Sequence, residues 1–386
     1  MIDFELTPEQ QEFRALAHRF AEKTIRPAAA DADEREQVPW DVLTKAGEAG
    51  LLAYHLPEAY GGGGVESLVT RVIVDEEIFW GCAGVGTILG GITLCATPIL
   101  LAGTPEQKAR VLPLFCRPGQ VTLGSFALTE PSAGSDAAGI ITQARREGRH
   151  YVLDGMKTFI TNAGIADVYI VFATVDVARG VDGITAFIVE ADRPGLSAGK
   201  VERKLGIRAS QTASLMLEGV KVPAENLLGE EGEGFRIAMR TFDITRIHVA
   251  SGAVGIARAA YEFARDYAAE RIQFGKPIAH FQAVGFLLAD MAIQIEAARW
   301  LTWHAAWLAD QRRPCTKEAS MAKTLAADTA MRVTTDAVQI LGGYGYTREF
   351  PVEKWMRDAK IMQIYEGTTQ IQHLVIARQL SPREAL

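Results

Sequence analysis

Near its C-terminal end the chain carries "IYEGTTQIQHLVIAR", residues 364–378, in which one carboxylate, Glu366, stands between an aromatic residue and a glycine. No lysine or arginine lies within three residues of it. A base that removes a weakly acidic C–H proton needs a raised pKa, and apolar surroundings raise it by desolvating the charged form. Ile364 and Tyr365 beside Glu366 are compatible with that use. Thr368 can cap a helix beginning near Thr369, and Gly367 allows another group to approach the backbone closely. The same residues also suit a surface acid at a helix start, favoured by the helix dipole. Taken alone, the segment leaves both readings open.

Two other segments could carry chemistry. "FALTEPSAGSDAAG" (126–139) combines short hydroxyl side chains with small residues in a loop, which can present backbone N–H groups to an anion or a heterocycle. It is also what a turn-rich connection looks like. "KTFITNAG" (157–164) reads as an aromatic strand ending in Thr161 and Asn162. Other signatures are missing from the sequence. There is no G-x-G-x-x-G after a strand, no P-loop, no H-E-x-x-H and no G-x-S-x-G. "GEEGEGF" (229–235) reads as a loop leading into a helix, so a nicotinamide enzyme is disfavoured. The seven histidines are isolated from one another, and no metal site is expected.

A chain of 386 residues has room for two or three domains around a large core. Its 48% apolar and 23% charged residues are ordinary for a globular protein. A net charge of −7 argues against nucleic-acid binding as the main function. Cys82, Cys95, Cys116 and Cys315 form no C-x-x-C pair, which suits a reducing compartment. With an N-terminus unlike a signal or transit peptide, the expected location is cytoplasmic. From Ile78 to Pro105 no residue is charged, long enough for a membrane span. Its Gly and Thr content and Pro98 favour a buried helix, a break and a second helix instead, so no membrane span is expected.

The elements that would position these segments fall into three blocks. In the first, "LTPEQQEF" has Thr7 as N-cap, Pro8 at the first helical position and Gln10 completing a capping box, and Pro27 marks the expected end of that helix. "PEAYGGGGVE" (57–66) is expected to be a flexible loop. After Gly124, short runs rich in β-branched and aromatic residues alternate with turns, predicting an antiparallel β domain. From Gly234 the chain is helical again, and Phe281, Val284, Leu288, Met291, Ile295 and Ala298 keep a bundle helix's spacing. The fold expected is α+β, with an N-terminal helical domain (1–124), a central antiparallel β domain (125–233) and a C-terminal four-helix bundle (234–386).

"TEPSAGSD", "KTFITN", "GIRASQT", "ERIQFGKPI", "QILGGYGY" and "IYEGTTQIQ" follow one another in the order and spacing of the acyl-CoA dehydrogenase family, and the chain resembles that family from about Phe4 to Leu380. The medium- and short-chain enzymes look most similar. The resemblance implies the same three-domain fold around FAD. It implies that Glu366 removes the α-proton of an acyl-CoA while the β-hydrogen leaves as hydride to flavin N5, giving the trans-2-enoyl-CoA. The N–H of the same residue would hydrogen-bond the thioester carbonyl. Relatives that carry the base elsewhere have it at the position of Thr245, which cannot serve.

By the same resemblance, Phe126, Leu128, Thr129 and Ser135 line the flavin, with Ser135 also beside the pantetheine of the substrate. Phe159, Ile160 and Thr161 flank the isoalloxazine. Arg271, Phe274 and Gln282 reach the FAD of the partner subunit, where Gln339, Leu341, Gly342 and Gly343 also meet it. Thr368 and Gln370 touch FAD, Asp243 and Arg246 hold the head of the CoA, and Tyr365 and Gly367 flank the thioester. "GGITLCATP" (90–98) lines the acyl pocket. The implied partners are an acyl-CoA, electron-transfer flavoprotein as electron acceptor, and a second copy of the chain in a homodimer or homotetramer, within fatty-acid β-oxidation. Two departures from the family pattern bear on this: Phe159 replaces a common tryptophan, and Phe126 and Ala127 replace a common tyrosine and cysteine. An acyl-CoA oxidase, an enoyl-CoA reductase and a non-catalytic acyl-CoA- or FAD-binding protein share the same fold as alternatives.

Overall fold

A computed structural model describes residues 5–380; the first four and last six residues of the predicted terminal domains lie outside it. Helices α1 (Pro8–Phe20), α2 (Arg26–Arg35), α3 (Trp40–Glu48), α4 (Leu68–Gly81), α5 (Ala83–Ala102) and α6 (Pro105–Val111) come first. Strands β1 (Gly124–Ala127), β2 (Gln143–Glu147), β3 (His150–Thr161), β4 (Val168–Thr174), β5 (Ile184–Glu190), β6 (Leu196–Val201), β7 (Thr212–Pro223) and β8 (Leu227–Leu228) follow. The chain closes with α7 (Gly234–Glu270), a small hairpin of β9 (Ile272–Gln273) and β10 (Lys276–Pro277), α8 (Gln282–Asp310), α9 (Thr316–Leu341), α10 (Val352–Ala359) and α11 (Thr369–Leu380). The helix–sheet–helix order is the one the sequence predicts.

Local rules set most boundaries. Thr7 and Gln10 form the expected reciprocal capping box with Pro8 behind them. Pro27, however, does not end a helix. A π turn at Ala21–Ile25 separates α1 from α2, and Pro27 sits in the first turn of α2, where its missing N–H costs nothing. The uncharged stretch also differs from expectation. The break falls at Cys82, whose backbone is extended, and α5 runs unbroken through Pro98. Within α5 the hydroxyls of Thr87 and Thr97 fold back onto the carbonyls of Ala83 and Thr93, satisfying themselves inside a mostly buried helix. α5 is long and apolar enough to cross a membrane, yet it packs on α4, α7 and β1 as a core helix.

The glycines of 61–64 make a packed turn in place of the flexible loop expected. A Cβ on Gly62 would stand 2.2 Å from the carbonyl oxygen of Leu56, so only glycine lets the two strands of chain lie this close. The sheet runs β6-β7-β3-β2-β4-β5-β8, with β1 attached to β4. It is mixed where an antiparallel sheet was expected, because β1 and β2 both pair with β4 in parallel. Parallel neighbours need a crossover, and for β2 and β4 it is the segment 148–167, which contains β3. α4 lies against α7 and α8, tied by buried charges: Arg258 Nη1 donates to Glu76 Oε1 at 2.6 Å, and Arg299 Nε donates to Glu76 Oε2 at 3.0 Å.

Candidate active site

A cavity of about 850 Å³ opens where α4, α5, the sheet, α7 and α11 meet. Of the residues singled out from sequence, it brings together Phe126, Leu128, Thr129, Ser135, Phe159, Ile160 and Thr161 on one wall and Asp243, Arg246, Tyr365, Glu366 and Gly367 on another. Of the stretch 90–98, Gly90, Gly91, Thr93 and Leu94 of α5 also line it, with Thr87 one turn before them, while Ile92 and residues 95–98 do not. Thr368 and Gln370 lie at the start of α11 outside the lining, and Thr368 Oγ1 accepts from the Ile371 N–H as the expected cap.

Glu366 has φ of 52° in the turn before α11, a conformation non-glycine residues hold only when their surroundings force it. The forcing groups grip the main chain. Arg246 Nε donates to the carbonyl of Glu366 at 3.0 Å, and Gln372 Nε2 donates to the same carbonyl at 3.1 Å and to that of Gly367 at 3.0 Å. Lys323, fully buried on α9, donates from Nζ to the Gly367 carbonyl at 2.8 Å. The close approach allowed by Gly367 is used by Gln372, whose Nε2 would be 2.6 Å from a Cβ there. The cation-free setting read from sequence therefore holds only along the chain, since folding brings Arg246 and Lys323 to the loop.

These neighbours set the proton affinity of Glu366. Burial pushes its carboxyl above the ordinary value, while the Thr245 hydroxyl, Arg246, Lys323 and His248 pull it back in that order. Thr245 Oγ1 donates to Glu366 Oε2 at 2.6 Å. Thr245 cannot be a base, but it orients one. Burial pushes Lys323 down to about 8, against the attraction of Glu366. Asp243 accepts from Thr316 Oγ1 at 2.7 Å, and burial raises its pKa.

The opposite wall is built around β3. Its register with β7 slips between Lys157 and Ile160, so Thr158 and Phe159 leave the ladder. Phe159 takes φ of 56° and its ring stands 65% exposed over the cavity. Thr158 N–H instead bonds the Thr129 carbonyl at 2.9 Å. Beneath, Lys157 Nζ meets Glu130 Oε1 at 2.7 Å and the Leu128 carbonyl at 3.1 Å, fixing the 126–139 loop to the strand. Asn162, also at positive φ, donates from Nδ2 to the carbonyls of Ile88 and Gly124, locking α5 to β1.

This wall fits a flavin. The bulge presents an aromatic face, and among the described residues the hydroxyls of Thr129, Ser135 and Thr161 meet no protein partner, leaving them for a polar heterocycle. A second patch lies outside the cavity at one end of α7, α8 and α9. There the Arg271 guanidinium stands 5.4 Å from the Tyr344 ring, and Phe274, at φ of 50°, is 93% exposed beside Phe281 and Gln282. Gln339, Leu341, Gly342 and Gly343 belong to the same end, and a Cβ on either glycine would meet nothing within 4 Å. An open, glycine-floored patch with an arginine suits a phosphate-bearing ligand.

Sequence reasoning did not single out Lys323, or Glu130, Lys157 and Gln372 within the segments it quoted, because a side chain's type carries no local mark of the group it will meet. It also missed Asp75, His55 and His248 on the cavity wall.

Family models for acyl-CoA dehydrogenases match the chain in three parts: the N-terminal domain over residues 7–118, the middle domain over 125–220 and the C-terminal domain over 232–381. The short-chain specific acyl-CoA dehydrogenase of Clostridium acetobutylicum is 46% identical over 380 residues, 98% of this chain and 100% of that protein. The solved butyryl-CoA dehydrogenase of Megasphaera elsdenii superposes with a TM-score of 0.95 at 48% identity, covering 98% of this chain and 100% of that one. A chain solved in work on the electron transferring flavoprotein of Acidaminococcus fermentans also has a TM-score of 0.95 and 48% identity, over 98% of this chain and 99% of its own. The chain belongs to the acyl-CoA dehydrogenase family.

Proposed function

We propose that Glu366 is the base of an FAD-dependent acyl-CoA dehydrogenase that converts a short acyl-CoA thioester to its trans-2-enoyl-CoA. The observation that carries this is the half-buried carboxylate of Glu366, its proton affinity raised by burial, lining one cavity with Phe159 and the hydroxyls of Thr129, Ser135 and Thr161. Glu366 takes the α-proton onto its carboxylate. FAD, when bound, supplies the two-electron acceptor for the hydride from the β-carbon. The Glu366 N–H has no protein acceptor among the described residues, so it is available to the thioester carbonyl, where negative charge develops. Thr245 favours the ionised carboxylate and aims it, and the grip of Arg246, Gln372 and Lys323 fixes the backbone that delivers it.

Phe126, Leu128, Thr129, Ser135 and Phe159–Thr161 would hold the flavin ring. The patch of Arg271, Phe274, Gln282 and Gln339–Gly343 would hold the phosphate end of the FAD bound by a second copy, with Thr368 and Gln370 nearby. Asp243, Arg246, Ser135, Tyr365 and Gly367 are assigned to the substrate. A homodimer or homotetramer is further supported by an apolar stripe on α8, where Phe286, Ile293, Trp300 and Trp307 recur at seven-residue spacing and are all exposed in the single chain. The short acyl chain is supported by the names of the relatives, and an electron-transfer flavoprotein as acceptor by the Acidaminococcus structure. A role in β-oxidation and a cytoplasmic location complete the proposal; the latter is supported by the unpaired state of all four cysteines.

The test is anaerobic stopped-flow at the flavin band. Glu366→Gln keeps shape and N–H but cannot accept a proton, so flavin reduction should fall ~10²–10⁴-fold with FAD and acyl-CoA still bound. Near-parental bleaching in that variant would place the base elsewhere.

A further inference from the structure

The cavity does not end in hydrocarbon. One turn along α7 from Thr245, a rise of about 4.5 Å for three residues, His248 turns its Nδ1 to the carboxylate of Asp75 on α4. Its other nitrogen, Nε2, is buried and has no hydrogen-bond partner among the described residues. His55, in the segment held by the glycine turn, is itself buried, and its Nε2 has only a long 3.5 Å contact to Thr93 Oγ1 on α5. All four residues line the same cavity as Glu366. Of the remaining lining here, Leu52, Val74, Ile78 and Phe79 are apolar, and the hydroxyls of Tyr54 and Thr87 are already turned to the carbonyls of Arg71, at 3.4 Å, and Ala83, at 2.9 Å. Two imidazoles with spare hydrogen-bonding capacity therefore sit in an otherwise greasy recess. A buried polar group without a partner is costly, and a plain alkyl chain would leave His248 Nε2 in that state and His55 Nε2 with only its long contact to Thr93.

From this geometry we infer that the acyl group taken by this protein carries an uncharged oxygen, a hydroxyl or a carbonyl, on a carbon beyond Cβ, and that His248, held by Asp75, with His55 selects it. The inference rests on the reading of the cavity as the acyl-CoA site. A hydroxyl is the best match, because it can donate to a neutral Nε2 or accept from a protonated one. A terminal carboxylate is a poor match. It would face Asp75, and the described lining residues of 51–55, 74–79 and 86–94 include neither lysine nor arginine, while Arg71 behind them is committed to the carbonyls of Val65 at 2.8 Å and His55 at 3.0 Å. Arg246, the nearest cation on α7, is bonded to the Glu366 carbonyl.

The experiment uses the FAD-loaded protein and short acyl-CoA thioesters matched in carbon number: alkyl, hydroxyacyl, oxoacyl and carboxyacyl, each substituted beyond Cβ. Two readouts are taken, the dissociation constant from the perturbed flavin spectrum and the anaerobic bleaching rate. Hydroxyacyl or oxoacyl thioesters should exceed the alkyl one by tenfold or more in rate over dissociation constant. In the double variant Asp75→Asn/His248→Leu that order should reverse, while His248→Gln, which keeps a hydrogen-bonding end, should retain part of it. Equal or better use of the alkyl thioester by the parent, or a preference for the carboxyacyl one, overturns the inference whether or not the variants fold. Failure of every thioester to bleach or perturb the flavin would instead overturn the dehydrogenase reading, and this inference with it.

Discussion

Thr245 and Glu366, 121 residues apart in the chain, share a hydrogen bond of 2.6 Å in which the threonine hydroxyl donates to the carboxylate. The bond favours the ionised form against the effect of burial, so it stabilises the state the base needs before reaction. Thr245→Val removes it. The pKa of Glu366 should rise, and because the base works only when ionised, the acid limb of flavin reduction should move to higher pH. At a pH on that limb the rate should fall by tenfold or more, a hydrogen bond to a charged group contributing ~1.5–3 kcal/mol. An unmoved limb in stopped-flow pH profiles would remove Thr245 from this role.

Arg246 grips the loop and also lines the cavity. Arg246→Ala should lower kcat by releasing the Glu366 backbone and raise KM by removing a cation near the substrate, both measured by steady-state kinetics with the best thioester. A change confined to KM would assign the residue to the CoA head alone.

Lys323 should leave a signature in stability. Its pKa is pushed by burial from 10.5 down to about 8, so between those values the unfolded chain binds more protons than the folded one. The penalty of burying the charge is complete below pH 8 and is relieved as pH rises toward 10.5. Relative to Lys323→Met, the parent should therefore gain stability over that window, read from urea midpoints at several pH values. A constant difference would show that Lys323 keeps an ordinary pKa.

Arg271→Ala should weaken FAD retention by roughly tenfold or more, the loss of a charge-assisted contact of ~1.5–3 kcal/mol. Equilibrium dialysis against FAD measures it.

Ile293 lies within the exposed α8 stripe. Ile293→Glu should shift the protein toward monomer in sedimentation velocity, with loss of FAD in parallel if the patch around Arg271 serves a neighbouring copy. An unchanged mass would move the contact surface elsewhere.

The three-block order, the capping box at Thr7 and the position of Glu366 before α11 were legible because each depends on residues close together in sequence. The fate of Pro27 and Pro98 was not. Both prolines can end helices, but a π turn relocates the first and core packing carries α5 through the second. The parallel pairing of β1 and β2 with β4 escaped notice because strand composition does not reveal direction. At the site, the glutamate could be found from its aromatic and glycine neighbours. Its real environment, Thr245, Arg246, Lys323 and Gln372, is assembled from α7, α9 and α11, and only folding brings these helices together.

The loop is held by its carbonyls, which every residue type possesses, and two of the three holders, Arg246 and Lys323, lie on α7 and α9, far away in the chain. The pentapeptide "YEGTT" is thus an address without its own foundations. Grafted into a foreign protein it would bring a carboxylate with an ordinary acidity and a relaxed backbone. Conversely, alterations at 246 or 323 can disarm the base without touching the motif by which such a base would be recognised, so an intact motif is no proof of a working enzyme.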